Sequence, residues 1–465
     1  MFGSPRRPSQ FYWLILGFLL VATIAKHAAT LATGPTLLEY DAIDYWERGT
    51  FISQGDWLQQ ERAVNYRGPL YPYFLGACQS VFGSYALLAA AIFQHTAQIL
   101  AGLLAAIICW WISQNRTTVV LAYTLSTLSI TAPWYANVML TESMFQLAMT
   151  IVLATIVAFQ LSPSRNNAIR CGYALGIATL TRPIPKLLWL PLGLLWWISY
   201  RVQGQGKMMF VRLLWLGLGV LVVTGPWMMR NRFLFETSSV AKVPPINKWV
   251  VCFHPGSAGD LPIPNSDAGD ELRRLIPDID TNHELRRDGY AVLRRLESRQ
   301  QSSAQIDALT TRVCLDSIAA NWPRFFWQTF KRFGNFWRCS VKEYPFYSAY
   351  AGPALPAVAG QNGWRFEPVA SWYETILRRS PSTQLRWMEL DSLVCALGIL
   401  LMILRPQTRA IGLSLATIFL YFAAITAALE VENYRYRMVL DPCLIVAIAC
   451  GFASRRNTDK IDTSN

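Results

Sequence analysis

The chain has 465 residues, of which 53% are hydrophobic and only 15% are charged, and it contains 18 Trp. This composition excludes an ordinary soluble enzyme and predicts an all-α polytopic membrane protein. The formal net charge is +13, but the Lys and Arg residues are dispersed between apolar runs, which argues against nucleic acid as a partner. The positive-inside rule for membrane proteins explains their distribution better.

The N-terminal segment begins a series of apolar runs. Arg6 and Arg7 precede a run from Phe11 to about Leu31, which is typical of a signal anchor that starts in the cytoplasm. Lys26 and His27 lie late in this run, and we expect them to reach the outer interface. The apolar runs together predict about ten transmembrane helices. The predicted spans after the first are 85–112, 119–132, 139–160, 168–180, 184–200, 208–229, 387–404, 410–429 and 438–453.

Basic residues fall in every second connection between these spans, as the positive-inside rule requires. Arg116, Arg170, Arg201, Arg409 and Arg455 are examples. This alternation predicts that both termini are cytoplasmic, most simply in a bacterial inner membrane. The opposite connections, including a first outer loop over 32–84 and a large loop over 231–385, would then face the periplasm.

The first outer loop contains an apolar stretch, NYRGPLYPYFLGACQSVFG, from Asn65 to Gly83. Its apolar part is shorter than the roughly 20 residues that a spanning helix needs. It is rich in Tyr and Phe and is interrupted by Pro69 and Pro72. These features predict an interfacial helix on the outer leaflet.

The large loop is the only segment long enough for a soluble subdomain. It separates an N-terminal transmembrane module over 1–230 from a C-terminal one over 386–465. A charged run from Glu271 to Arg299 predicts a solvated helix. The segment NWPRFFWQTFKRFGNFWR, from Asn321 to Arg338, interleaves aromatic residues with Arg and Lys. This pattern is typical of an interfacial helix that contacts membrane lipids in the headgroup layer.

Cysteine usage indicates no metal site, because the nine Cys form no CxxC pair and no Cys/His cluster with zinc spacing. Cys252, Cys314 and Cys339 fall in the large loop. An oxidising compartment would permit one disulfide among them, and the sequence does not choose the pair.

An acidic segment, EYDAIDY, follows the first span from Glu39 to Tyr45. Asp41 and Asp44 are three residues apart, so a helix would direct both toward one side, where a substrate hydroxyl or a cation could sit. The alternative is a solvated loop or a helix N-terminal cap, where Asp is common.

Charged residues at the outer ends of other spans are further candidates for a functional site. The alternative for each is that it anchors a helix end at the interface. The candidates are Arg67, Glu142, Arg182, Lys186, Arg230, Arg232, Glu432, Arg435 and Arg437.

An ordered set of motifs resembles the bacterial GT-C glycosyltransferases, which are related to the protein mannosyltransferases and the lipid A aminoarabinose transferases. Such enzymes take a sugar from a polyprenyl-phosphate carrier at the outer face of the membrane. The resemblance runs from about Phe11 to Ala453, and the outer loop from Lys242 to Glu367 matches only loosely. The motifs are EYDAIDYW, YRGPLYPYFLG, TESMF, GIATLTRP, GPWMMRNRF and ENYRYRMVLDP.

The resemblance implies an inverting transfer to an acceptor hydroxyl of a glycan, lipid or protein in the cell envelope. It makes Asp41 the catalytic base, although Ala42 stands where the family often has a second acidic residue. Asp44 and Glu142 would orient the acceptor or bind a cation. Arg182, Arg435 and Arg437, with Arg67 and Lys186, would hold the carrier phosphate, for which Arg is well suited. No cofactor is assigned with certainty, and a divalent cation is left open.

Two other functions fit part of the pattern. A ligase of the O-antigen type, which moves a whole glycan from a diphosphate carrier, shares a large outer loop and an Arg-rich outer end. A transporter or flippase for lipid-linked sugars also needs charges at outer span ends. It would usually show repeated halves with broken helices near the midplane, and the sequence has no convincing internal repeat.

Overall fold

The computed structural model describes residues 10–35, 39–61, 66–129, 131–254, 260–337, 366, 368–369, 381–430 and 434–453. Eight residues named above lie outside this set: Arg6, Arg7, Asn65, Arg338, Cys339, Glu367, Glu432 and Arg455.

The described part of the chain is helical, with twenty α-helices and no β-strand. Short 3-10 turns occur at Gly83–Tyr85 and Ile184–Leu187. The helices are α1 (Gln10–Leu31), α2 (Glu39–Ser53), α3 (Leu70–Phe82), α4 (Ala86–Ser113), α5 (Arg116–Leu128), α6 (Thr131–Asn137), α7 (Glu142–Leu161), α8 (Arg165–Thr181), α9 (Trp189–Val202), α10 (Gly206–Phe235), α11 (Pro245–Phe253), α12 (Asp267–Leu275), α13 (His283–Arg287), α14 (Gly289–Ser298), α15 (Ser303–Ala320), α16 (Trp322–Asn335), α17 (Pro381–Leu404), α18 (Arg409–Leu429), α19 (Tyr434–Met438) and α20 (Asp441–Phe452).

Five helical runs among the described residues are long and apolar enough to cross a membrane, and the chain is an integral membrane protein. They are Gln10–Leu31, Leu70–Ser113, Glu142–Leu161, Gly206–Phe235 and Arg409–Leu429. Each of the other predicted spans also coincides with a helix, but a shorter or less apolar one. The span predicted over 119–132 is divided, because α5 ends at Leu128 and α6 begins at Thr131. The total of ten spans stays a prediction.

Local sequence signals explain several helix ends. Asn115 and Ser164 cap α5 and α8, each accepting a hydrogen bond from a backbone N–H of the first turn. Glycine permits a close helix crossing: a Cβ on Gly219 of α10 would lie 2.7 Å from the Ile169 carbonyl oxygen and 3.1 Å from Cα of Gly172 in α8. Only residues without a side chain permit α8 and α10 to approach this closely.

The chain divides into two compact units. The first comprises residues 1–240, 341–418 and 438–465, and the second comprises 241–340 and 419–437. The second unit therefore combines most of the large loop with the end of α18 and most of α19. Its core is built from α11 to α15 and is centred on buried apolar residues such as Trp249, Phe253, Leu272, Val292 and Val313.

The charged run from Glu271 to Arg299 is not the single solvated helix that its charges predict. It contributes to three short helices, α12, α13 and α14, and Leu272, Leu285 and Leu296 from these helices enter the core. The Asn282 and Asp288 side chains cap α13 and α14 and so separate them. The many charges on the exposed side made the segment look fully solvated, but its apolar side packs into the core of the subdomain.

A pair of cysteines meets inside this core. Cys252 on α11 and Cys314 on α15 are buried, and the Cys314 thiol lies within hydrogen-bonding reach of Cys252. If the loop faces an oxidising compartment, as the charge pattern predicts, we expect these two thiols to form a disulfide. The intact protein should then be about 2 mass units lighter than the reduced protein, because a disulfide forms with the loss of two hydrogens. In protein denatured without reductant, Cys252 and Cys314 should resist alkylation.

A second buried contact supplies the internal control. Cys109 on α4 and Cys450 on α20 also lie within hydrogen-bonding reach of each other. Both are near span ends that the charge pattern assigns to the cytoplasm, so they should remain reduced. Free thiols at both Cys252 and Cys314 would contradict the expectation.

Candidate active site

Helix α2 positions the acidic pair that the sequence singles out. Its geometry directs Asp41, Asp44 and Arg48 toward one side, because residues three or four apart are neighbours on a helix surface. The helix is held against α3 at very short range: a Cβ on Gly49 would lie 2.9 Å from Cβ of Leu75 and 3.0 Å from N of Gly76. The carboxylates are therefore carried on a tightly packed element.

Asp44 is bound on both carboxylate oxygens. Arg48 Nε donates to Oδ2 and Arg48 Nη2 donates to Oδ1, each at 3.0 Å. The Arg67 Nε also lies 3.2 Å from Oδ2. The Arg48 side chain is only 2% exposed and the Asp44 side chain 18%. Bidentate pairing of this kind fixes the orientation of the carboxylate.

Asp41 is the more accessible of the two carboxylates, with its side chain 36% exposed. Arg67 Nη2 donates to its Oδ1 at 2.8 Å. Arg67 thus bridges Asp41 and Asp44, and its guanidinium also lies 4.7 Å from the centre of the Tyr45 ring. Burial by itself lowers the pKa of Arg67, but Tyr45, Asp41 and Asp44 outweigh that effect and hold the pKa well above its usual value.

Glu142 and Arg182 form a second ion pair. Arg182 Nη1 donates to Glu142 Oε1 at 3.0 Å, and the Glu142 side chain is fully buried. Glu142 is the first residue of α7 and Arg182 is the C-cap of α8. An acid at a helix N-terminus and a base at a helix C-terminus are both favoured by the helix dipoles.

Gly68 packs the segment that carries Arg67 against the end of α8, which carries Arg182. A Cβ on Gly68 would collide with the Leu180 carbonyl oxygen and lie 2.8 Å from the Thr181 carbonyl oxygen. The residue after Arg67 therefore packs against the residue before Arg182. Tyr71 makes a second link: its ring lies 5.1 Å from that of Tyr45, and Glu142 acts on it electrostatically.

We expect Gly68→Ala to disrupt strongly the sugar transfer that the sequence motifs imply, because the added methyl group meets fixed backbone oxygens. A displacement of about 1 Å at a reacting group can cost about 100-fold in rate. Gly217→Ala is the matched control, since a Cβ there meets nothing within 4 Å. Transfer rate and thermal stability of both purified variants provide the measurement, and an unaltered rate for Gly68→Ala would contradict the packing role.

The remaining predicted site residues fall into separate groups. Lys186 is on the 3-10 turn Ile184–Leu187, four residues beyond Arg182. Arg230 stabilises the loop after α2, because it donates to the backbone carbonyls of Leu58 and Gln59. Its guanidinium lies 4.4 Å from the Trp227 ring centre. Arg435 and Arg437 belong to α19 in the second unit, where Arg437 is 2% exposed.

The described part of the chain contains no group of three or more His, Cys, Asp or Glu side chains that could hold a metal ion. Asp41 and Asp44 instead take cationic partners from Arg48 and Arg67.

Sequence reasoning missed Arg48, although the spacing of Asp44 and Arg48 at i and i+4 is a signal for pairing. Lys26 and His27 both contact neighbouring helices. Lys26 Nζ donates to the carbonyls of Ser126, Thr127 and Ser129, and His27 Nδ1 lies 2.8 Å from His95 Nδ1. Their position at the outer interface stays a prediction.

A buried polar network supports the segment before Glu142. Gln94 on α4 accepts a hydrogen bond from Tyr71 and donates to the carbonyls of Ala136 and Val138. Asn137 lies 2.8 Å from His95 and donates to the Thr30 carbonyl. No sequence motif indicates this network, since its members come from four separate helices.

No protein family and no curated protein matches the chain by sequence. Three solved structures are similar in three dimensions. ArnT from Cupriavidus metallidurans bound to undecaprenyl phosphate is 17% identical, with 93% of this chain and 78% of that chain covered and a TM-score of 0.37. The same protein in the apo state is 16% identical, with 95% and 77% covered and a TM-score of 0.34.

The archaeal oligosaccharyltransferase AglB from Archaeoglobus fulgidus, in complex with an inhibitory peptide and a dolichol-phosphate, is 11% identical with a TM-score of 0.44. The match covers 94% of this chain and 50% of that chain, so this chain spans half the length of AglB.

Proposed function

We propose that the chain is a membrane glycosyltransferase that moves a sugar from a polyprenyl-phosphate carrier to an acceptor hydroxyl, with inversion at the anomeric carbon. The observation that supports this most is the pair of adjacent carboxylate–guanidinium groups in the first unit, in which Asp41 is the accessible carboxylate. The order of the motifs that resemble the GT-C enzymes adds to it.

Asp41 acts as the general base in this proposal. It accepts the proton of the acceptor hydroxyl as the oxygen attacks the anomeric carbon and the bond from that carbon to the carrier phosphate breaks. Asp44 has a positioning role, because Arg48 and Arg67 occupy both of its oxygens. The Asp44 carboxylate orients Arg67 through their ion pair, and Arg67 orients Asp41 through its hydrogen bond to Oδ1.

The leaving phosphate gains negative charge in the transition state, and fixed cations stabilise that charge. We assign this role to Arg67 and Arg182, whose positions are linked through Gly68, and to Lys186. Arg435 and Arg437, which belong to the second unit, are assigned to the carrier phosphate from the motif ENYRYRMVLDP. Guanidinium groups suit this role because they bind phosphate oxygens in pairs and stay charged.

We further propose that the site faces the periplasm of a bacterial inner membrane, with both termini in the cytoplasm. The distribution of Arg and Lys between the apolar runs supports this orientation. The sugar donor would then be reached from the outer leaflet, and the acceptor would be a cell-envelope glycan, lipid or protein.

The direct test is release of free polyprenyl phosphate from a panel of polyprenyl-phosphate sugars by the purified full chain in liposomes. Acceptor extracts are included, and Asp41→Asn serves as the control. Release with one sugar, lost in the variant, is the expected result and identifies the donor. Consumption of a diphosphate-linked glycan alone would favour the ligase, and movement of a lipid-linked sugar across the bilayer without release would favour the transporter.

A further inference from the structure

Helix α16 carries four aromatic side chains that are each more than half exposed, Trp322, Phe326, Trp327 and Phe330. We call these four residues the aromatic face. At about 100° per residue, they occupy an arc of about 140° around the helix axis. Four exposed aromatic side chains on one side of a helix indicate a contact with a membrane or with another protein.

The other side of α16 is fixed to the second unit. Phe325 packs against the core of that unit, and Arg332 is 1% exposed. Arg332 Nε donates to the backbone carbonyl of Ala427 at 2.7 Å. Arg332 lies about 150° from the centre of the aromatic face. The helix is therefore held by one side while its aromatic side points away from the unit.

The residues that hold α16 belong to a membrane helix. Ala427 lies in the last turn of α18, which is one of the helices long and apolar enough to cross a bilayer. Trp337, which follows α16, also meets this helix, with its ring centre 5.6 Å from that of Phe419. The hydrogen bond to Ala427 and the Trp337 contact thus tie α16 and the residues after it to the second half of α18.

We propose that the aromatic face lies in the headgroup layer of the bilayer that α18 crosses, with phospholipid as its occupant. Lys331 lies beside this face, and its Nζ is 5.6 Å from the Trp327 ring centre. A cation beside exposed aromatic rings suits lipid phosphate, since the rings enter the upper acyl region while the cation stays at the phosphates. This proposal does not depend on the proposed transfer reaction.

Nitroxide depth measurements on the full chain in lipid nanodiscs test the proposal. The eight cysteines that the structure describes are all buried. With Cys339→Ser as the background, the introduced cysteine is therefore the thiol that the nitroxide reagent reaches. Labels at Phe326→Cys and Phe330→Cys report on the aromatic face, and Tyr290→Cys reports on an exposed aromatic position of α14. Nanodiscs of phosphatidylethanolamine with phosphatidylglycerol supply the lipid.

We expect both aromatic-face labels to collide more often with dissolved oxygen than with a water-soluble nickel chelate, and the Tyr290 label to show the opposite preference. Two results would overturn the proposal. Nickel accessibility at Phe326 and Phe330 equal to that at Tyr290 would place the face in water. Protection from both reagents at these two positions would show that protein, such as a second copy or an acceptor protein, covers it.

Discussion

Asp41→Asn is expected to reduce the rate of sugar transfer by about 10²- to 10⁴-fold, the usual contribution of a general base. Asn keeps the size of the side chain and can still accept the hydrogen bond from Arg67, but it cannot take the proton of the acceptor. Since Asp41 is the more exposed carboxylate and shares Arg67 with Asp44, the loss of its charge should affect folding little. The rate of polyprenyl phosphate release in liposomes is the measurement.

Glu47→Gln is the matched control for this variant. Glu47 is a carboxylate on the same helix, about 120° away from Asp41 around its axis. The Glu47→Gln variant should transfer sugar at nearly the rate of the unaltered protein. A rate for Asp41→Asn that equals the control would remove Asp41 from the chemistry, and equal losses in both variants would indicate a general effect of charge on α2.

The second large effect concerns the Asp44–Arg48 pair. Asp44→Leu should lower the free energy of unfolding by about 3 kcal/mol, because it removes the carboxylate that pairs with the buried Arg48. Arg48→Met should cost less, because Arg67 still pairs with Asp44. The Arg48 side chain, 2% exposed, has the least access to water of the pair. Chemical denaturation of the purified variants in detergent, followed by helical circular dichroism, measures the loss.

The double variant Asp44→Leu/Arg48→Met separates stability from function. Replacing both partners by apolar residues can be neutral for stability, so much of the lost free energy should return. Transfer should remain impaired, since Arg67 has then lost the carboxylate that orients it. Recovery of both stability and transfer would mean that the pair serves only the packing of α2.

Much of the architecture follows from hydrophobic patterning. Long apolar runs predict a helix at each of the ten predicted spans, because a backbone in lipid must satisfy its own hydrogen bonds. The division of 119–132 was missed, although Pro133 in the first turn of α6 is a signal for a helix start. The subdomain helices were missed for the opposite reason, since the exposed charges of 271–299 outnumber the Leu and Val residues that fold it.

The site is predictable in its residue types but not in its pairing. The sequence points to Asp41, Asp44, Glu142, Arg67 and Arg182, and the structure shows which acid takes which base. That pairing depends on a contact between Gly68 and the end of α8, which are more than one hundred residues apart in the chain. Contacts over such separations leave no trace in local periodicity or composition.

The cluster of Asp41, Asp44, Arg48 and Arg67 holds two negative and two positive formal charges, which cancel. A balanced cluster has a weak field at a distance, so it offers little electrostatic attraction to inorganic phosphate or nucleotides in the surrounding water. A phosphate tethered to a lipid needs no such attraction, because it arrives by diffusion within the membrane and meets the guanidinium groups only at contact. Charge cancellation would thereby let the protein work among abundant soluble anions and still bind one delivered by the bilayer.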